Sequence, residues 1–533
     1  MNHIELFAGC GGLSLGLETA GFQLLLANEL SPMASETFAY NILNADLENK
    51  KNIEKVFWIS SSHNREDMAL RLRENPQIET GLQSHHSSDL REASLSQENL
   101  KRSLLVGSLV DLNLLLDESS SPLLKLIRTG LGEGHVDLVS GGPPCQSFSL
   151  AGLRDHSNQR NELPWEFAKF VDHIKPKVAL LENVSGILRA FKIDDKPYYA
   201  WFEVAKAFAK IGYIPLCLHI NAKYVGAAQN RPRFILIGLR EDIYARIIEN
   251  SHDDVFTQSI MPAKSLFDRV QRGEDPDYGC LPYFDIEKNA RIFSSKIFES
   301  LATYQNDDLV TVKDAIDDLR QPQIKTSSYV DRLNNIFVNP NKHTLDKNVN
   351  HDARTNNAKV RARFRIYQIM TRLEKNESTE ISKYLKSEGA TGISSKTLQK
   401  LKQNWILNLD GEMISNPQER QVLSLLSNLY TKKQTQRALQ ANLPAPAALS
   451  IPDDACHYHE SLETQRTLTV REMARIQSFP DWYKIRSKVT TGGQMRKFEV
   501  PQYTQIGNAV PPLLGLALGK VCEKLIALSE SSV

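Results

Sequence analysis

A five-residue stretch, Val136-Asp137-Leu138-Val139-Ser140, stops at Gly141-Gly142-Pro143-Pro144, and the next residue is Cys145. A short apolar run bounded by turn residues reads as a buried strand. Glycines followed by prolines do not let that strand continue. Cys145 is therefore expected at the C-terminal tip of a strand, where open α/β sheets gather ligands and chemistry. A free cysteine is most often a small buried hydrophobe. Here the residues that follow are Gln146, Ser147, Phe148 and Ser149, which make no apolar face, so Cys145 reads as reactive.

The chain around it alternates. Residues 4–7 read as a strand, Ala8-Gly9-Cys10-Gly11-Gly12 as a turn, and residues 13–20 as a helix closed by Gly21. Residues 24–27 form a second strand with Asn28-Glu29 at its end. A glycine-rich turn lets backbone approach a ligand at a helix N-terminus. An acid at the tip of the second strand can accept hydrogen bonds from ribose hydroxyls. Ser14 stands where a dinucleotide fingerprint needs its third glycine, so a nucleoside-bearing cofactor is expected without pyrophosphate recognition. Further strands are predicted at 104–109, 136–140, 178–181, 216–221 and 234–238, and helices at 123–131, 165–174 and 201–211. This alternation is that of a largely parallel α/β sheet. Glu182-Asn183-Val184 ends one of its strands.

Composition bounds the rest. The chain has 533 residues, 41% hydrophobic and 24% charged, so several soluble globular domains are expected. There is no apolar run of membrane-spanning length and no signal-peptide pattern after Met1. Its 6 cysteines lack any C-x-x-C pair, which points to a reducing compartment and away from a zinc site. Net charge is +1, so any nucleic-acid surface must be local. The window 359–402 has eleven Lys/Arg against four Glu and is the best candidate for phosphate contacts.

Residues 46–103 are rich in Ser, His and Asn and read as a surface insertion, with short helices at 54–58 and 68–73 and a loop at His85-His86. From about 243 to 465 the alternation is lost, with helices expected at 360–373, 397–405 and 419–430. Thr469 reads as the cap of a helix running through Gln477, and a final helix follows at 513–528.

Six fragments in order resemble the DNA (cytosine-5) methyltransferase family, of the bacterial restriction-modification type. They are Phe7-Ala8-Gly9-Cys10-Gly11-Gly12, Gly142-Pro143-Pro144-Cys145-Gln146-Ser147, Glu182-Asn183-Val184, Gln229-x-Arg231-x-Arg233, Arg471-x-x-x-Arg475-x-Gln477-x-Phe479-Pro480 and Gly507-Asn508-Ala509-Val510. The resemblance implies a Rossmann-like methyltransferase sheet with a second, mixed target-recognition domain. It implies a catalytic domain at 1–242 carrying the 46–103 insertion, target recognition at 243–501, and a C-terminal segment, 502–533, returning to the catalytic domain.

The implied reaction moves a methyl group from S-adenosylmethionine to C5 of a cytosine flipped out of a specific duplex sequence. Cys145 would add to C6, since breaking the ring's conjugation makes C5 nucleophilic. A free thiol, with a pKa of about 8.5, needs help to ionise at neutral pH. Glu182 would hydrogen-bond or protonate N3. Arg231 would clamp O2, and Arg233 would support Glu182 or a phosphate. The family places Phe7, Gly9, Gly11, Glu29, Pro144 and Asn508 around the cofactor. Where it commonly has Asp after the third strand, this chain has Ser108, whose hydroxyl would take over the contact to the adenine amino group. The segment 146–160 would close over the flipped base, and Arg471 and Arg475 would organise the recognition region. No metal is expected, because a sulfonium already activates its methyl group. The remaining expectations are double-stranded DNA as partner, no membrane, a cytoplasmic monomer acting at the nucleoid, and a cognate restriction endonuclease reading the same site without stable contact.

Three other readings compete. A tRNA cytosine methyltransferase would share Cys145 and Glu182, but the large middle region suits duplex reading. A catalytically dead DNA-binding protein would not need Cys145, Glu182 and Arg231 together. A Rossmann oxidoreductase would need the missing third glycine.

Overall fold

The structure, a computed structural model, describes residues 1–59, 90, 96–117, 121–144, 162–193, 196–321, 323–388, 392–447, 454–492 and 499–531. Its centre is a 9-stranded sheet. In chain order the strands are β1 (Asn2–Leu6), β2 (Gln23–Glu29), β3 (Val56–Trp58), β4 (Ser103–Val106), β5 (Leu138–Gly141), β6 (Val178–Val184), β7 (Tyr213–Asn221), β8 (Pro232–Arg240) and β9 (Phe284–Asp285). Their spatial order is β9-β7-β8-β6-β5-β1-β2-β4-β3. All pairings are parallel except those of β8, which runs antiparallel to β6 and to β7. The central strands are buried along their whole length, as expected where helices cover both faces of a parallel sheet. The expected α/β class is therefore the observed one.

The chain builds outward from β1 in one direction through β2 and β4, then returns to lay β5 and β6 on the other side. The direction of winding reverses between β1 and β5. At such a switch point the strand ends leave a crevice.

Val56–Trp58 is a strand, not the short helix expected at 54–58; only Ile53–Lys55 makes a helical turn. A Val-Phe-Trp run fits the pleated edge beside β4 better than a helix. The expected helix at 68–73 and the loop at His85-His86 lie outside the described residues.

Helix α1 (Gly12–Thr19) follows the glycine turn. In the chain α2 (Leu163–Ile174) lies between β5 and β6 and α3 (Ala200–Lys210) between β6 and β7, both amphipathic. The region after 242 is more helical than its sequence suggests. Asp254–Gln271 is a single 18-residue helix with Pro262 inside it, capped by Asp253, whose side chain accepts from the Phe256 N–H at 3.0 Å. Its buried residues Phe256, Ile260, Leu266 and Phe267 join the same core as the sheet. A second, separate core gathers residues between 362 and 456, built on α4 (Ala358–Met370), α5 (Lys375–Lys386), α6 (Ser395–Lys402) and α7 (Glu419–Asn428).

The chain then re-enters the first core through α8 (Val470–Ile476), α9 (Gln502–Asn508) and α10 (Pro512–Glu530). Thr469 caps α8 in a reciprocal capping box with Glu472. Helix α10 lies directly against α1 because glycines face each other there. A Cβ on Gly16 would run into the Gly515 and Leu516 backbone, and one on Gly519 would meet the Ala20 methyl at 2.6 Å. No helix among the described residues is long and apolar enough to cross a membrane.

Candidate active site

The crevice at the switch point holds a cavity of about 400 Å³, within the range of small-molecule sites, roughly 300–1,000 Å³. Strand tips supply its wall: Phe7 after β1, Asn28 and Glu29 at β2, Gly107 and Ser108 after β4, Gly142 and Pro144 after β5. Glu182 on β6 and Asn508 on α9 complete it.

The first wall is a strained turn. Phe7 has φ 54°, Gly9 φ 54° and Gly11 φ 88°. A bulky aromatic at positive φ is uncommon and is held only by its surroundings. Here the Ala8 N–H donates to Asn28 O at 2.9 Å and the Gly11 N–H to Ala8 O at 2.9 Å. Glu29 closes the turn from the side, accepting from the Gly9 N–H at 2.8 Å and the Ser31 N–H at 2.7 Å, one on each oxygen. Its carboxylate is thereby fixed at the cavity edge. Ser108 accepts from the Val110 N–H at 3.2 Å, which leaves its own O–H free to orient. Gly11 does not reach the cavity wall. Its missing Cβ makes room for Tyr483, whose Oη would lie 2.6 Å from that atom.

Two residues of this wall escaped sequence reading. The Asn28 amide donates to Leu105 O at 3.0 Å and Gly107 O at 3.1 Å, binding the tips of β2 and β4 together. Glu5 on β1 is buried in the cavity floor and accepts from the Ser14 hydroxyl. Burial pushes its carboxyl up to about 8, against the downward pull of Ser14. Only its place inside a buried strand could have flagged it. Because the folded value lies above the unfolded one, the fold binds the extra proton and stability falls as pH rises from about 4.5 toward 8. Glu5→Gln is expected to flatten this decline, so its melting temperature gains on the wild type from pH ~5 to ~8.5. Parallel melting curves would remove Glu5 from the pH dependence.

The second wall carries the charges. Glu182 is only 8% exposed. On β8, Ile235 stands opposite Glu182 and Arg233 opposite Val184. Residues two apart on a strand share a face, so Arg233 leans diagonally onto Glu182 and its Nε lies 2.6 Å from Glu182 Oε1. The Arg233 value is lowered by burial, against the opposing pull of the Glu182 carboxylate. Gly142 passes so close that a Cβ there would sit 3.0 Å from Glu182 Oε2. The Asn183 amide donates to Pro143 O at 3.1 Å. Residues 142–144 are thus held against the tip of β6.

Cys145 and the segment 146–160 lie outside the described residues. Of the other cysteines, Cys10 also lines the cavity. Burial pushes its thiol up to about 12, and its sulfur donates to Gln505 O at 3.6 Å, so it is a packed thiol unsuited to attack. Burial raises Cys217, Cys456 and Cys522 as well.

Arg231 spends its guanidinium on other partners than Glu182. Its Nη2 donates to Gly507 O at 2.9 Å and Ala509 O at 3.1 Å, and its Nη1 to Gln229 Oε1 at 3.3 Å. Burial and the neighbouring Arg233 guanidinium lower it well below the usual arginine value. The Gln477 amide donates to Ile506 O at 2.7 Å and Ala509 O at 3.1 Å. Two distant motifs therefore hold one turn, the one that brings Asn508 to the cavity. Arg471 is buried and caps backbone carbonyls of Val349, Pro480 and Tyr483 at 2.8–3.0 Å.

The family model described as "C-5 cytosine-specific DNA methylase" matches residues 1–64 and 125–524. Type II methyltransferase M.DdeI from Desulfomicrobium norvegicum is 26% identical over 531 residues, covering 98% of this chain and 88% of the relative. Type II methyltransferase M.Bpa9945I from Bacillus paralicheniformis is 25% identical over 549 residues, covering 98% of each.

Proposed function

This chain belongs to the C-5 cytosine-specific DNA methylase family, and from that premise we propose that it methylates C5 of a cytosine flipped out of a specific duplex DNA sequence through a transient Cys145–C6 bond, with S-adenosylmethionine as donor. The observation that carries this reading is the Glu182–Arg233 ion pair at the wall of a cavity that also contains Pro144, the residue before Cys145.

The cavity fits the donor. Glu29 would present fixed acceptors to the ribose hydroxyls, Phe7 and Leu109 would offer apolar contact, and Ser108 would meet the adenine end. Asn508 and the backbone at Gly9 would hold the amino-acid end. When bound, S-adenosylmethionine supplies a sulfonium-activated methyl for the nucleophilic C5.

Cys145 adds to C6 as a thiolate and opens the ring's conjugation. Glu182 meets N3, where negative charge develops, by hydrogen bond or proton transfer. Arg233 orients Glu182 and is better placed than Arg231 to face the base. Arg231 is a positioning residue for the Asn508 turn. The segment 146–160 covers the flipped base, and Arg471 and Arg475 tie the recognition region to the sheet. After transfer, loss of the C5 proton and departure of the thiolate restore the aromatic ring. On this reading the enzyme acts as a monomer in the cytoplasm. It protects host DNA from a cognate restriction endonuclease at the same site, a role supported by the Type II methyltransferase names of its relatives.

Bisulfite sequencing of duplex DNA treated with purified protein and S-adenosylmethionine tests this; 5-methylcytosine in one fixed context is expected, and unmodified DNA would overturn it. Glu182→Gln is expected to lower kcat by roughly 10²–10⁴ while cofactor affinity stays within a few-fold. A near-normal kcat would remove Glu182 from the chemistry.

A further inference from the structure

The second core has an order of elements that the reaction chemistry does not require. Helices α4, α5 and α6 are followed by a hairpin, Ile406–Leu407 against Met413–Ile414, and then α7. A helix pair followed by a β-hairpin has the element order of DNA-reading units in which the second helix of the pair enters the major groove. Helix α6 holds that place.

Local bonds fix how α5 presents α6. Ser394 caps α6, its hydroxyl accepting from the Thr397 N–H at 3.3 Å. Glu380 on α5 accepts from the Ser394 N–H at 2.6 Å and the Ser394 hydroxyl at 2.9 Å, and also from the Thr397 hydroxyl. The inner face of α6 buries Thr397, Leu398 and Leu401. Its outer face is a stripe of Lys396, Gln399, Lys400 and Gln403, all exposed, spaced so that they stack along one side of a helix. Lys396 is paired with Glu374 and Glu377 at 3.2 Å each. Among the described residues the side chains of Gln399, Lys400 and Gln403 have no partner.

Two arginines of the basic window are spent inside the protein. Arg363 is buried and donates to Leu429 O at 2.8 Å. Arg365 is buried, donates to Trp405 O at 2.8 Å and pairs with Glu460 at 2.8 Å. The hairpin turn carries Asp410 and Glu412, both exposed, and such a turn repels phosphates. Charge therefore selects the helix over the hairpin. Glutamine matches adenine with two hydrogen bonds, and lysine meets guanine or phosphate. Trp405, 56% exposed just past α6, adds an apolar surface for a thymine methyl or a sugar.

We propose that α6 is the sequence-reading helix of this enzyme, inserted in the major groove, with Gln399 and Gln403 at base edges and Lys400 at a phosphate or guanine. This rests on the DNA methylation reading above. The test is methylation of a randomised duplex library by the full chain, read by bisulfite sequencing. Q399A/Q403A is expected to relax the context at one or two positions, with discrimination falling about 5- to 150-fold at each. Lys400→Ala is expected to weaken all contexts alike and to make the salt dependence shallower by about one counterion. A photocrosslinker placed at position 399 should capture DNA, and one at position 410 should not. A double variant with the wild-type context and rate, or capture from 410 alone, would overturn the assignment of α6. Absence of 5-methylcytosine with the wild type would instead overturn the underlying activity.

Discussion

Cys145→Ser is expected to leave no measurable methyl transfer, a loss on the order of 10⁴–10⁶ by comparison with other nucleophile deletions. Serine keeps the size of the side chain but replaces a polarizable thiolate with a hydroxyl that stays protonated at neutral pH. Cys10 cannot substitute: it lines the cavity but is buried, with its thiol pushed up to about 12. A duplex with 5-fluorocytosine at the target should trap the wild type as an adduct that survives denaturing electrophoresis, because C5 then has no proton to lose. The variant should form no adduct yet keep its affinity for cofactor and DNA. Near-normal turnover by Cys145→Ser would mean that another group attacks C6.

Arg475→Ala is the substitution expected to cost most in stability, about 3–5 kcal/mol. Arg475 is completely buried and bonds Asp481 at 2.8 Å through both Nε and Nη2. It also pairs with buried Asp318. Burial lowers its value, but its two aspartate partners outweigh this and hold it above the usual arginine range. Truncation would leave Asp481 buried without its counter-charge and Asp318 with only Lys347, 3.6 Å away, which is worse than never having had the pair. Denaturant melts of Arg475→Ala, and of Arg475→Ala combined with Asp318→Asn and Asp481→Asn, check this. The triple variant should recover part of the loss, and a single variant within 1 kcal/mol of wild type would show the network to be idle.

Legibility followed how local each signal was. Strands β2, β5 and β6 announce themselves by apolar runs, as strands buried on both faces do, and β1 by the glycine turn that follows it. The 254–271 helix was hidden by Pro262, which reads as a breaker but sits where the helix tolerates it. Val56–Trp58 was ambiguous because three residues cannot show a period; pairing with Ser103–Val106 decided it. In the site, Glu182 and Glu29 were legible from their positions at strand tips. The division of labour between Arg231 and Arg233 was not, since it depends on antiparallel register with β6 and on a turn nearly three hundred residues downstream. Glu5 was missed because a charged residue inside a buried strand looks like an exception to the pattern rather than part of a wall.

The facing glycines of α1 and α10 bear on how the enzyme is made. The glycine turn near residue 10 and the α9 turn are joined by contacts across 495 positions, such as the one between Cys10 and Gln505. A ribosome that has delivered the sheet and Glu182 has still not delivered the segment that closes the crevice. The crevice is therefore completed late, when α10 has been made and packs onto α1.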